Sequence, residues 1–243
     1  MVPKYSLLSN NPFSLLIDLI FPKICFTCLS RIEDDDNFLC QGCKKELQLL
    51  PDSCCPVCGS LNTLTKENCV FCQSEKVYFD RCRSIFPYND VVRTLIHELK
   101  YNDMTNIAGY LAEHAIKYLR SKNPFSQIDY VCPVPLHPTR RRERGYNQAA
   151  FIAKKLASHF GWDYKPDVIK RVKFTESQAN LTPKQRKENV NRAFSIDRNF
   201  ILYEVNILII DDVFTTGATV NSICQLLRQH RVNNIYVLTV ARA

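Results

Sequence analysis

Asn206-Ile-Leu-Ile-Ile-Asp-Asp-Val-Phe-Thr-Thr-Gly-Ala-Thr219 decides how the rest of the chain is read. An apolar run leads into two adjacent carboxylates, Asp211 and Asp212. A hydroxyl-rich turn follows (Thr215, Thr216, Gly217, Ala218, Thr219), and then a helix-period segment, Val220 to His230. An apolar run without alternation predicts a strand buried on both faces, as in a parallel sheet. Ligands of such sheets bind beyond the carboxyl ends of the strands. The turn sets backbone N–H groups and Thr hydroxyls at a helix N-terminus, which suits a phosphate. The acids before it suit vicinal hydroxyls or a hard cation such as Mg²⁺. Acids that merely end a strand and cap a helix are the plainer alternative. Two acids, three Thr and one Gly within nine residues favour a sugar-phosphate site.

Outward from this stretch, strands and helices alternate. Asn234–Val240 reads as a closing strand and Ser84–Tyr88 as an early one. Val91, Val92, Leu95, Ile96 and Leu99 share one helix face, as do Ile107, Leu111, Ala115, Ile116 and Leu119. His97 and His114 on these helices read as structural. Tyr130 to Leu136 is a strand forced into a tight loop by Pro133 and Pro135. A basic loop, His137 to Gln148, carries Arg140, Arg141, Arg142 and Arg144 and is broken by Gly145 before a helix faced by Ala149, Ile152, Ala153, Leu156, Ala157 and Phe160. This places the four guanidiniums at the carboxyl edge of the sheet, facing the same crevice as Asp211 and Asp212. A pyrophosphate or a nucleic-acid backbone suits them. Val168 to Phe174 is expected to be a strand, and Thr182-Pro183 to open a basic helix covering the crevice. The alternation implies an α/β parallel sheet.

Charge is unevenly placed. Residues 140–198 hold 15 Lys and Arg against 6 Asp and Glu, and this net +9 exceeds the +8 of the whole chain. A basic surface that localised points to phosphate-rich partners. Tyr146, Phe151, Trp162, Tyr164 and Phe174 interleave with the cations and are candidates for base stacking, with Phe151 and Phe174 the expected core members. No run is long and apolar enough for a transmembrane helix. Phe13 to Pro22 contains Asp18 and lacks a small-residue cleavage site, so it reads as a short amphipathic helix rather than a signal peptide.

Twelve cysteines without a secretory signal predict a reducing, cytoplasmic setting and metal binding. Four Cys-x-x-Cys knuckles pair Cys25 with Cys28, Cys40 with Cys43, Cys55 with Cys58 and Cys69 with Cys72. Eight thiolates make two closed, structural Zn²⁺ sites. Spacing leaves open which knuckles combine, sequential pairing being the simple choice, and Cys54 could replace Cys55. Gly42 and Gly59 fall where a knuckle needs positive φ. Cys82, Cys132 and Cys224 read as small buried residues.

The stretch Ile207 to Thr219 resembles the phosphoribosyl-pyrophosphate (PRPP) motif of type I phosphoribosyltransferases. The knuckles, Val134–Leu136, Arg144–Gln148, Gln178–Leu181, Arg186, Asn189-Val190, Ala193-Phe194 and Asp211–Thr219 occur in an order similar to the ComF (ComFC/GntX) family. That resemblance implies a double zinc ribbon (25–80) fused to a parallel-sheet, phosphoribosyltransferase-like domain (81–243), preceded by the N-terminal helical segment (1–24) that the residues themselves suggest. It implies a role in natural transformation and DNA uptake: handling incoming single-stranded DNA at the cytoplasmic side, with the ComFA helicase and the DprA recombination mediator as partners. It also implies that Asp211 and Asp212 hold the ribose hydroxyls of PRPP, directly or through Mg²⁺. Thr215 to Thr219 would take the 5′-phosphate, and the Val134–Leu136 turn the pyrophosphate. Transferases acting on 6-oxopurines carry a carboxylate where Thr215 stands, and Thr215 cannot act as a general base. An active Mg²⁺-dependent phosphoribosyltransferase with an unassigned acceptor is the alternative.

Overall fold

The unalternating apolar runs do form a sheet covered on both faces. The computed structural model describes residues 22–33, 38–61, 63–102, 104–172 and 193–243. Its strands are β1 (Arg81–Pro87), β2 (Tyr130–Pro133), β3 (Asp163–Tyr164), β4 (Ile169–Arg171), β5 (Phe194–Ile196), β6 (Ile207–Phe214) and β7 (Ile235–Arg242). Five of them form one sheet in the order β1-β7-β6-β2-β3, every neighbour parallel, and β4 and β5 form a separate antiparallel pair. The helices are α1 (Gln41–Lys45), α2 (Val70–Ser74), α3 (Asp90–Tyr101), α4 (Thr105–Lys122), α5 (Pro138–Arg144), α6 (Gln148–Phe160) and α7 (Ala218–Gln229).

Alternation along the buried strands divides the interior in two. Leu208, Ile210, Tyr236 and Leu238 pack with α3, α4 and α6. Ile207, Ile209, Ile235 and Val237 pack with α7 and the β4–β5 pair. The connection after β2 moves outward to β3 over the first face, while the connection after β6 moves the other way to β7 over the second. The β2/β6 boundary is therefore the point where the winding reverses, and ligand crevices open at such points. β2 pairs with β6 only as far as Pro133 opposite Ile210. β6 continues to Phe214, paired on its other side with β7. Asp211 and Asp212 thus lie on the strand itself, along a flank that β2 has left open.

Two sequence expectations change. The basic segment after His137 is the helix α5 rather than a loop. Pro138 supplies a preset φ in its first turn, the His137 ring caps it by accepting from Thr139 N–H, and Gly145 ends it at φ 73°. The strand expected over Val168 to Phe174 is confined, among the described residues, to Ile169–Arg171, outside the main sheet. Phe174, the helix opened by Thr182, the family-like residues from Gln178 to Val190 and nearly all of Phe13–Pro22 lie outside the described residues.

The two cysteine-rich lobes dock on opposite faces of the sheet. Cys25, Ile32 and Leu39 join the core under α3 and α4, and Phe38 meets Tyr110 edge-on at 5.3 Å. Cys55, Cys58 and Cys69 join the core beside α7. Between the lobes the chain passes along the outer edge of β1. Leu50 N–H donates to the Ile85 carbonyl at 2.8 Å, and Cys82 N–H donates to the Val57 carbonyl at 2.7 Å. That covers an edge strand which would otherwise offer unpaired backbone groups.

The first knuckle of each lobe shares one local design, whereas the second knuckle opens a short helix, α1 or α2. Cys25 N–H donates to Ser30 C=O and Cys55 N–H to Ser60 C=O, each at 2.8 Å. The fourth residue after the first cysteine takes positive φ in both, at Leu29 (61°) and Gly59 (74°). Gly42, expected to do so, is instead helical within α1. A Cβ on Gly59 would lie 2.8 Å from the Cys82 carbonyl oxygen, so docking as well as φ selects glycine there. Gly59→Ala should lower stability by about 1–3 kcal/mol, seen as a lower urea midpoint with zinc content retained. An unchanged midpoint would show that the lobe does not bear on β1 as described.

Candidate functional site

The open flank of β6 is one wall of a crevice of about 310 Å³, at the small end of the range for small-molecule sites. Asp211, Asp212 and the turn through Thr215, Gly217, Ala218 and Thr219 line it on one side, and Val134, Pro135 and Leu136 on another. Four cations complete it: Lys100 from the end of α3, Arg140 and Arg144 from α5, and Arg171 from β4. Asn147 caps α6, accepting from Ala149 N–H, and donates to the Val134 carbonyl at 2.9 Å, which fixes the proline turn against that helix. Arg144 lies over the Tyr101 ring, 5.0 Å from its centroid, and donates to its hydroxyl at 3.4 Å.

Helix geometry divides the arginines. Arg140 and Arg144, four apart, share a face of α5 and line the crevice, whereas Arg141 and Arg142 line a separate groove behind that helix. The expectation that all four face the acids holds for two of them. Lys100 and Arg171 complete the site without a signal in the sequence. Each reaches the acids through tertiary approach, the last turn of α3 in one case and the β4–β5 pair in the other, and no local spacing signals that.

The carboxylates are unlike. Lys100 Nζ lies 2.6 Å from Asp212 Oδ2, with the two side chains 22% and 18% exposed. Burial works to lower the Lys100 pKa, but the charge and hydrogen bond of Asp212, with the charge of Asp211, together more than offset it and hold the ammonium above its ordinary value. Asp211 accepts from Asp212 N–H through Oδ1 at 2.9 Å. Burial first, and then the neighbouring Asp212 charge, push Asp211 up to about 7. Burial, and then Arg140, lower the Arg171 guanidinium from its ordinary value.

The turn is held from beneath. Gly217 has φ 67°, and a Cβ there would lie 2.6 Å from Phe214 Cζ and 3.1 Å from Phe71 Cζ. Phe71 belongs to α2, between Cys69 and Cys72, and meets the Phe214 ring edge-on at 5.6 Å. Thr216 Oγ1 approaches Ala218 N–H at 3.5 Å, and Thr215 is exposed. The second cysteine lobe is thus the floor of the candidate phosphate turn.

The cysteines group sequentially: Cys25, Cys28, Cys40 and Cys43 in one cluster, Cys55, Cys58, Cys69 and Cys72 in the other, with all Sγ atoms of a cluster within 4.8 Å of one another. A tetrahedron with Zn–S bonds near 2.3 Å has edges of about 3.8 Å. Observed Sγ separations of 3.5 Å (Cys28–Cys40), 3.8 Å (Cys55–Cys72) and 3.4 Å (Cys58–Cys69) match that size. Both clusters therefore fit a closed structural zinc, whose contribution is folding energy rather than chemistry. Cys54 is buried outside the clusters. Cys82 and Cys132 are buried, and desolvation pushes their thiols up to about 12, which suits unreactive packing residues.

The aromatic residues sort differently from expectation. Phe151, expected in the core, is 44% exposed. Trp162 stacks on Phe160 at 4.5 Å and packs against the core. Tyr146 and Tyr164 are half-buried beside it.

Residues 16–83 match the family model for a double zinc ribbon domain. The chain is 32% identical over 224 residues to competence protein F of Haemophilus influenzae, an alignment covering 90% of this chain and 96% of that one. It belongs to the ComF family. Other ComF-type relatives are DNA utilization protein YhgH of Escherichia coli K12, 27% identical over 92% of this chain and 99% of its own, and competence protein ComFC of Streptococcus pneumoniae, 26% identical over 90% and 94%. Among solved structures, adenine phosphoribosyltransferase from Saccharomyces cerevisiae superposes with a TM-score of 0.38 at 19% identity, covering 59% of this chain and 72% of that one. No helix among the described residues is long and apolar enough to cross a membrane.

Two outcomes follow for this ComF-family chain. Metal analysis should find two zinc ions per chain. Cys58→Ser should lose one of them together with folding free energy on the order of 10 kcal/mol, leaving protein that does not fold; a folded variant retaining two zinc ions would remove Cys58 from the ligand set. The second outcome concerns Asp211. Its folded value of about 7 exceeds the ordinary 3.8. The native state therefore keeps a proton that the unfolded chain has released between those values. The stability it contributes is full below the lower value and is lost as pH rises through the upper one. Asp211→Asn should gain stability relative to the parent as pH rises from about 4 to about 7, measured by chemical denaturation. A constant difference between the two proteins would refute the raised carboxyl.

Proposed function

We propose that this chain handles incoming single-stranded DNA on the cytoplasmic side during natural transformation, and that its crevice takes a PRPP-type sugar phosphate. The setting is supported by the names of its relatives, competence protein F, ComFC and DNA utilization protein. The ligand reading is carried by one observation: two half-buried carboxylates and a phosphate-type turn share a small crevice with Lys100, Arg140, Arg144 and Arg171.

In this reading Asp211 and Asp212 accept from the ribose hydroxyls. Backbone N–H groups and hydroxyls of Thr215, Thr216, Gly217, Ala218 and Thr219 hold the 5′-phosphate at the start of α7. Arg140 and Arg144 meet the pyrophosphate beside the Val134–Leu136 turn, as fork-shaped donors suit. Mg²⁺, when it arrives with the ligand, would neutralise the phosphates. Because Lys100 already holds Asp212 Oδ2, the carboxylate left to meet such an ion is Asp211. Thr215 supplies no carboxyl for proton transfer, which argues against a 6-oxopurine acceptor and leaves open acceptors that need no acid at that position. Helicase and recombination-mediator partners of the ComFA and DprA kind fit the same setting.

Fluorescence anisotropy of a labelled single-stranded oligonucleotide, titrated with salt, tests the first part. The expected result is micromolar or tighter binding that weakens steeply as salt rises. Calorimetry with Mg²⁺-PRPP tests the second, and Asp211→Asn or Asp212→Asn should abolish that heat. Absence of strand binding at low salt would transfer the assignment to a phosphoribosyltransferase, to be pursued by screening acceptors for pyrophosphate release.

A further inference from the structure

Behind α5, on the side away from the acids, lies a groove of about 1190 Å³. It is larger than an ordinary small-molecule site and nearly four times the crevice. Arg141 and Arg142 line it from α5, Lys154 from α6 and Lys170 from β4. Asp167 is the one acid among its lining residues. Lys170 is paired with Asp197 at 2.6 Å, but among the described residues Arg141, Arg142 and Lys154 form no ion pair. The floor between these cations is aromatic. Tyr146 is anchored by donating to the Leu99 carbonyl, and Phe151 meets its ring edge-on at 5.6 Å while keeping 44% of its own surface exposed.

Resting on the single-strand reading above, we infer that the strand lies in this groove and not in the crevice, so that a sugar phosphate and a DNA strand bind at the same time. Cations on both walls suit a phosphate backbone, and an accessible aromatic floor suits unpaired bases. A duplex, whose bases are stacked inward, cannot use that floor. The crevice is too small for a chain of nucleotides and carries acids where the strand would bring phosphates. Lining shared by the two cavities is limited to Pro135, Leu136, Asn147 and Arg171.

The test compares two variants of the zinc-loaded protein, Arg141→Ala with Arg142→Ala and Lys154→Ala, and Arg140→Ala with Arg144→Ala. Each is checked for zinc content and circular dichroism. The groove variant should bind a labelled single strand about tenfold or more weakly, with a shallower salt dependence by about 2 in the log–log slope, and still bind PRPP. The crevice variant should lose PRPP and keep the strand. Saturating PRPP should change the parent's strand affinity by less than about threefold, since ligands at separate sites do not displace one another. Strand binding that survives in the groove variant, or that PRPP abolishes, overturns the placement while leaving DNA handling intact. A parent protein that binds no strand overturns both.

Discussion

Two carboxylates side by side at the end of a buried strand are the constraint on which the rest of this structure turns. Asp211 and Asp212 repel each other and are both partly withdrawn from water, an arrangement that cations and hydrogen bonds around it stabilise. Lys100 is brought to Asp212 by the last turn of α3, Arg171 by a two-stranded pair outside the main sheet, and Arg140 and Arg144 by a seven-residue helix. Three otherwise unrelated elements converge on one strand end. The prolines that stop β2 leave the flank to which they converge.

Support for the same site reaches across the molecule from the metal lobes. Phe71, held between two ligand cysteines, fills the space beneath Gly217. On the other side of the same strand end, Arg242 donates to the Cys58 carbonyl at 2.7 Å and lies 4.6 Å from the Phe214 ring centroid. The lobe therefore contributes to the shape of the turn without contributing a group to its chemistry.

Patterns within one element were legible in the sequence. The apolar run from Ile207, the helix faces of α3, α4 and α6, the eight cysteines and the crevice acids all depend on spacing along a few residues. What the sequence left open depended on the third dimension. Equal spacing of the knuckles could not say which combine, and proximity in the fold decided it. Four arginines in five residues read as one cluster until α5 turned two of them to each side. Phe151 sits beside apolar positions in sequence, yet its direction from α6 leaves it exposed. Lys100 adjoins the apolar stripe of α3, and only packing of that helix against β6 gives it a carboxylate.

The position of β1 has a consequence for how the chain comes together as it is made. Ser84 and Thr239, whose hydroxyls meet at 2.6 Å between β1 and β7, are 155 residues apart. β1 therefore emerges from the ribosome long before β7, its one strand partner among the described residues, exists. Each zinc cluster, by contrast, closes within a short span, and the Val57 and Leu50 groups that bond the outer edge of β1 precede it in the chain. Metal loading can thus give β1 a folded neighbour during the interval before β7 is synthesised. In a zinc-starved cell the nascent chain would expose that strand on both edges for the same interval, so metal supply would set the yield of folded protein before any site on it is used.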